Sequence, residues 1–521
     1  MRTRAVGLVL AAGLLLAACG GGSKSPTSSS GTASGSTTAS APKAGGQLTV
    51  ADPLPASSLD PVAGSSGGDA MSLYPLYDRL INFDPSTLAP AAGLATAWKY
   101  SDPKTLVLTL RSGVAFQDGA PFNAEAVKFS LDRALTMKTS TVKTDLSTIR
   151  SVKATGPLEV TINLKAPDAS LVLTLADRAG IIVSPQAVKK WGANFGQHPV
   201  GTGPFTFSQY LPNDKLVVQK NPHYWQKGKP YLDKITFKYI TNQQTADNAL
   251  KSHQADVELN VALSSVATLK TVSGINVVSH PSLLTDGCYL NFSRAPFKDV
   301  NARQALAVAI NRSALNQSYA FGQAVPTSQV FPAKYWAADQ ALANTFEFNA
   351  DKARDLLKQA GYPNGVSIKG LAFQSTGEVR KLEIIQQQLK NVGINMKFDV
   401  KDVATAAKNF FTDKTYDLIC SSWSGRPDPS QTASSLFASA SFYNAGGYAA
   451  PGMDDALSAA ASAQSQSERA SAFSKVTSLN QQYVVWLPLL SEPNITATYK
   501  NVQGLVPNLY GKIDVSFLSL S

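Results

Sequence analysis

Cysteine and histidine are scarce, three and four in 521 residues. His198, His223, His253 and His280 stand far apart, and neither His-Glu-x-x-His nor Cys-x-x-Cys occurs. Zinc centres draw on clustered ligands and small secreted scaffolds on many cysteines, so neither class fits, and no metal or cofactor is expected. Charge of one sign is never concentrated. The formal net charge is +11, yet no basic run exceeds two residues, as at Lys189-Lys190. Nucleic-acid binders collect their cations on a stripe, so a generally basic surface is the better account and no nucleic-acid partner is expected. Beyond residue 18 no apolar stretch approaches the length of a membrane span. What is present is 44% hydrophobic and 16% charged, the composition of a folded chain. Its length exceeds what one core supports and predicts two or three lobes.

Arg2 and Arg4 precede an apolar run from Ala5 to Ala18, about 14 residues against the roughly 20 that cross a bilayer core. A short apolar core behind positive charge is a secretory signal. It ends in Leu16-Ala17-Ala18-Cys19-Gly20, which resembles the bacterial lipoprotein cleavage box. That resemblance implies a signal peptide at 1–18 and lipidation of Cys19 as the mature N-terminus. Two buried acyl chains give stable anchoring, whereas one is marginal. Residues 20–46 contain only Gly, Ser, Thr, Ala, Pro and Lys. Such a stretch buries too little to offset its ordering entropy, and reads as a linker with a mean span on the order of 30 Å. The rest is expected outside the cytoplasm of a bacterium, tethered to the cell membrane. Residues 1–46 hold Arg2, Arg4, Lys24 and Lys43 and no acid, so four of the eleven net charges leave and +7 remains.

From Gln47 onward, hydrophobicity alternates between periods of about 2 and about 3.6. Strands are predicted at 47–51, 105–110, 158–164, 215–219, 234–240, 394–400 and 416–421. In the third, Leu158, Val160, Ile162 and Leu164 share one face, as in a sheet wet on the other side. Asn123 is placed to cap a helix bearing Val127, Leu131, Ala134 and Leu135 on one stripe. Asp351 is placed to cap a second, which Gly361 ends, and a third follows Gly377 with Leu382, Ile385 and Leu389. The pattern is α/β with mixed sheets.

Signs of catalysis are thin. Gly64-Ser65-Ser66-Gly67-Gly68 matches a nucleophile elbow, a device that needs a strand before the serine and a helix after it. Asp60-Pro61 upstream reads as a turn, so a Gly/Ser loop is the better account and a lipid-anchored hydrolase using Ser66 the lesser one. Ser140 and Lys143 have the Ser-x-x-Lys spacing of penicillin-binding enzymes, but no Ser-Asp-Asn or Lys-Thr-Gly completes it. Gly201-Thr202-Gly203-Pro204 lacks the spacing and lysine of a phosphate loop. Binding is favoured over catalysis, and no enzyme activity is expected.

A series of landmarks then falls in order along the chain: Leu59-Asp60-Pro61, Leu94 to Trp98, Leu110 to Gly119, Asn123 to Val127, Val200 to Phe205, Asn221 to Trp225, Pro296 to Ala305, Ala360-Gly361-Tyr362 and Asp428-Pro429. Across essentially all of 47–521 the chain resembles the extracytoplasmic solute-binding proteins of ABC importers, of the large oligopeptide, dipeptide and nickel type. The resemblance implies a two-lobed α/β clamp of the type II periplasmic-binding-protein class, with mixed sheets and a subdomain inserted in the first lobe. The first lobe would be 47–287 plus 491–521, the insertion about 84–198, and the second lobe 288–490. Crossovers near 287–292 and 487–493 would form the hinge. A monomer would close on a peptide or similar small polar ligand and deliver it to permease subunits driven by ATPases.

In peptide-binding relatives an acid a few positions beyond a tryptophan takes the ligand's α-ammonium. Here Trp423 is followed by Ser424, Gly425 and Arg426, with Asp428 two positions on. Two readings stand open: Asp428 or another carboxylate holds the ammonium of a peptide, or Arg426 faces the cleft and the ligand is anionic. Ser65 and Ser66 would face the cleft from the first lobe. Asp286 and Tyr289 flank the first crossover and Ser491 and Glu492 the second, while Asn444 is a further candidate. Cys288 and Cys420, near crossover and cleft strands, are either a disulfide or two buried thiols.

Overall fold

The computed structural model describes residues 42–64 and 67–521. The expected signal peptide, Cys19, most of the expected linker, Ser65 and Ser66 lie outside the described residues. Among the described residues, eleven strands form one mixed sheet. Its middle holds two strands far longer than the usual five or six residues, Ile275–Leu290 and Trp486–Tyr499. At about 3.3 Å per residue, the 16-residue strand spans on the order of 50 Å, enough to traverse two cores. The two pair antiparallel from Ile275↔Tyr499 to Tyr289↔Trp486, with register shifts between Pro281 and Thr285 and between Asp286 and Gly287. On one side the sheet continues through Leu418–Trp423, Val366–Phe373 and Ile394–Lys401. On the other it continues through Val257–Glu258, Gln47–Asp52, Lys234–Tyr239, Lys215–Lys220 and Phe205–Leu211.

Packing divides along the same line. One core gathers Leu48, Phe205, Phe237, Leu250 and Ile495. A second gathers Leu290, Leu306, Ile368, Leu418 and Trp486. A third, with Leu108, Leu131, Val160 and Ile162, covers a four-stranded antiparallel sheet of Ala95–Asp102, Thr105–Leu110, Glu159–Leu164 and Ile149–Gly156. Gln47–Asp52 runs parallel to both its neighbours, as does Val366–Phe373. Such strands are covered on both faces, and Gln47–Asp52 is accordingly buried for most of its length.

The helix after Asn123 forms as expected over Ala124–Thr136, with the Asn123 side chain accepting from Ala126 N. The cap at Asp351 is corrected. Asn349 begins that helix, Ala350–Gln359, by accepting from Lys352 N, and Asp351 sits in the first turn paired to Arg354. The strand expected at 416–421 forms over Leu418–Trp423 instead. Asp417 is held aside by its carboxylate, which accepts from Lys369 N and Arg294 Nε.

Candidate functional site

Leu418–Trp423 lies antiparallel to Ile275–Leu290, which sets Cys420 opposite Cys288 and Trp423 opposite Thr285. Cys288 and Cys420 are joined as a disulfide across a Cα separation of 3.9 Å, so the bridge, not two thiols, is present. Past Trp423 the chain turns at Gly425, whose φ is +66°. The turn brings Arg426 back over its own loop, with Nη1 donating to Gly425 O at 2.8 Å and the guanidinium 5.5 Å from the Trp423 ring centre. Trp423 is 7% exposed, donates Nε1–H to Thr432 Oγ1 at 3.1 Å and meets Tyr443 edge-on at 5.3 Å.

These groups wall a cavity of about 360 Å³. Ser421, Ser422, Ser424, Tyr289, Phe373, Phe411, Ile419 and Tyr443 also line it, joined by Leu54, Gly68 and Lys512 from near the two ends of the chain. The volume falls in the range of small-ligand sites, about 300–1,000 Å³. Among the described residues, no carboxylate lies within ion-pair distance of Arg426. Burial works against its charge, but nearby Tyr510, Asp177 and Asp145 outweigh that and hold the guanidinium above its ordinary value. Asp177 is itself occupied, accepting from Tyr74 and Tyr510 hydroxyls at 2.8 and 2.9 Å.

Trp423, Ser424, Arg426 and Tyr289 therefore meet at one cavity, and Gly425 forms the turn that allows it. Other candidates are placed elsewhere. Asp428 is fully buried, caps the helix Pro429–Phe437 through Ser430 N, and takes two hydrogen bonds from Arg469 at 2.9 and 2.6 Å. Its carboxylate is spent inside the lobe and offers nothing to a ligand ammonium. Asn444 closes its own loop, donating to Ala438 O and Tyr448 O and accepting from Tyr448 N. Ser491 sits in the ladder between Thr285 and Val325.

Asp286 and Glu492 belong to a different environment. Lys381 Nζ, fully buried, pairs with Asp286 at 2.7 Å and with Glu378 at 2.8 Å, while Tyr319 donates to Glu492 at 3.3 Å. Glu492 lines a wider groove of about 1310 Å³ between residues 241–244 and 260–264 on one side and 374–383 on the other. Phe373 lines the cavity and Gln374, just past the end of that strand, lines the groove, and the two spaces share no lining residue. The Gly/Ser loop is flanked by a turn at 61–63 and a short helical turn at Gly67–Asp69, not by the strand an elbow requires. Sequence reading missed Ser421, Ser422, Tyr443 and Lys512. The serines lie on the predicted strand or directly after it, but Lys512 carries no local signal.

With this geometry in view, residues 89–444 match the family "Bacterial extracellular solute-binding proteins, family 5 Middle". The chain belongs to this family. It is similar to the glutathione-binding protein GsiB of Salmonella typhi, 32% identical over 426 residues, covering 79% of this chain and 82% of that one. It is also similar to the ABC transporter-associated periplasmic binding protein DppA of Helicobacter pylori, solved with the peptide STSA. That likeness has 25% identity and a TM-score of 0.81, over 92% of this chain and 98% of the other. A dipeptide-binding protein of Pseudoalteromonas sp. SM9913 shares the fold at 23% identity and a TM-score of 0.81, over 91% and 100%. The chain is thus the solute-binding component of an ABC import system, with the fold of a two-lobed clamp. The family is extracellular, and among the described residues no helix is long and apolar enough to cross a membrane.

Proposed function

We propose that this family member holds a peptide-class solute by a free carboxylate set on Arg426, not by an ammonium set on an acid. Tethered through Cys19, it passes that solute unaltered, as a monomer, to permease subunits driven by ATPases. The lobes divide near 287 and 491, a reading supported by the separate cores on either side of the two long strands. The single observation that carries the ligand reading is Arg426. It is a half-buried guanidinium on a cavity shared by both lobes, with no carboxylate of the described residues in ion-pair reach. A guanidinium cannot accept an ammonium's hydrogen bonds but grips a carboxylate in bidentate fashion. Asp428, the other candidate for that end of the ligand, is bound to Arg469. A relative that binds glutathione, a tripeptide with two carboxylates, is consistent in chemistry.

Calorimetric titration of wild type and Arg426→Ala with glutathione and acidic dipeptides tests this. Loss of charge-assisted hydrogen bonds predicts acid affinity about 10- to 100-fold weaker in the variant. Unchanged affinity for every acidic ligand would sink the proposal. Hydrolase action is tested separately, by ester or peptide turnover that Ser66→Ala abolishes. Membrane tethering is tested by release of a Cys19→Ser variant into the soluble fraction.

A further inference from the structure

Arg426 is one of two cations on the cavity wall. The other, Lys512, arrives from the opposite lobe in the C-terminal segment. Its backbone is fixed at both ends: Lys512 N donates to Asn508 Oδ1 at 3.3 Å and Asn508 Nδ2 donates to Lys512 O at 2.7 Å. The side chain has no such anchorage. Among the described residues no acceptor lies within hydrogen-bond or ion-pair distance of its ammonium. Burial pushes that ammonium down, Asp52 and Asp177 pull it up without touching it, and Arg426 adds repulsion. Asp52 accepts from Leu54 N at 3.0 Å through Oδ1, and its buried Oδ2 has no hydrogen-bond partner among the described residues, so that carboxylate acts on Lys512 from a distance.

Asp52, Asp145 and Asp177 offset part of the cost of these two partly buried cations from beyond ion-pair distance, and an anion in direct contact with both would offset more. The geometry points to an anion clamp: one carboxylate of the ligand lies between the Arg426 guanidinium of the second lobe and the Lys512 ammonium of the first. This rests on the carboxylate reading of Arg426 and extends it to closure. In the empty protein the two charges oppose approach of the lobes. With an anion between them, the same charges draw the lobes together, so the ligand binds the closed state better than the open one. Neutral ligands of equal size lack that differential and leave the clamp open.

The test uses full-length protein and paired probes, glutathione and N-acetyl-dialanine, each with its C-terminal amide. Calorimetry gives the acid-to-amide affinity ratio, and small-angle scattering gives the change in radius of gyration. Wild type should favour at least one acid over its amide by about tenfold or more, with contraction only for the acid. Lys512→Gln should bring that ratio below about threefold and abolish contraction, while Lys512→Arg restores both. A wild-type ratio retained in Lys512→Gln overturns the clamp, and so does failure of both acids to bind wild type. If Arg426→Gln also keeps the ratio, the underlying carboxylate reading falls too. If Arg426→Gln loses it and Lys512→Gln does not, only the clamp falls.

Discussion

A β-carbon at position 425 would lie 2.3 Å from Leu283 Cβ and 2.9 Å from Leu283 O, on a backbone already at φ +66°. Gly425→Ala is therefore expected to cost about 1–3 kcal/mol and, by shifting the loop, to weaken acid binding as well. Urea denaturation alongside titration checks this; a variant as stable and as tight as wild type would count against the turn. Asp428 and Arg469 predict the opposite pattern. Breaking their buried pair with Arg469→Ala should cost about 3–5 kcal/mol, yet leave the affinity of the folded fraction intact. Part of this was legible locally. An Asp before a Pro marks a helix start, and the helix Pro429–Phe437 begins there. That Asp428 is consumed was not legible, because its partner stands 41 positions away.

At the level of elements, the disulfide ties the long strand Ile275–Leu290 to the strand that presents Trp423, closing a separation of 132 residues. Replacing both cysteines by serine should cost about 2–5 kcal/mol, read from the urea midpoint. Intact-mass analysis after alkylation should show no label on Cys288 or Cys420 unless reductant is added first. Labelling without reductant would refute the bridge. Strand alternation placed Leu418–Trp423 to within two residues, but the facing of Cys420 and Cys288 depends on register, which one residue of slip would reverse. Helix capping was similarly half visible. Asn349 and Asp351 are both good caps, and only the tertiary path of the chain assigns the role to Asn349.

Across the whole molecule, buried carboxyls near the long strands set an expected pH response. Burial first, then Asp286 and Glu378, lifts Glu492 to about 8 despite Lys381 and Tyr319. Burial and Asp247 lift Glu258 to about 8 as well. Both stay protonated in the folded chain while the unfolded chain ionises near its ordinary value, so the folded state binds more protons across this window. Stability is fully present below the unfolded value and falls as pH rises towards 8. His280, held below 6.5 chiefly by burial, opposes this only at the acidic end. Calorimetric melting temperatures should decline from pH 5 to 8, and Glu492→Gln should flatten the slope. A variant slope equal to wild type would show that Glu492 ionises freely.

The amino-acid sequence alone determined the alternation of strand and helix, the α/β class, the order of family landmarks and the arginine standing after Trp423. These are local matters: periodicity, capping and composition act within a few residues of one another. Only the tertiary structure decided which charges remain available. It spends Asp428 on Arg469, turns Asp286 towards Lys381, and brings Lys512 to the cavity that Arg426 lines. The physical reason is that a buried ionisable group is defined by its neighbours in space, and two long strands carry those neighbours in from distant parts of the chain.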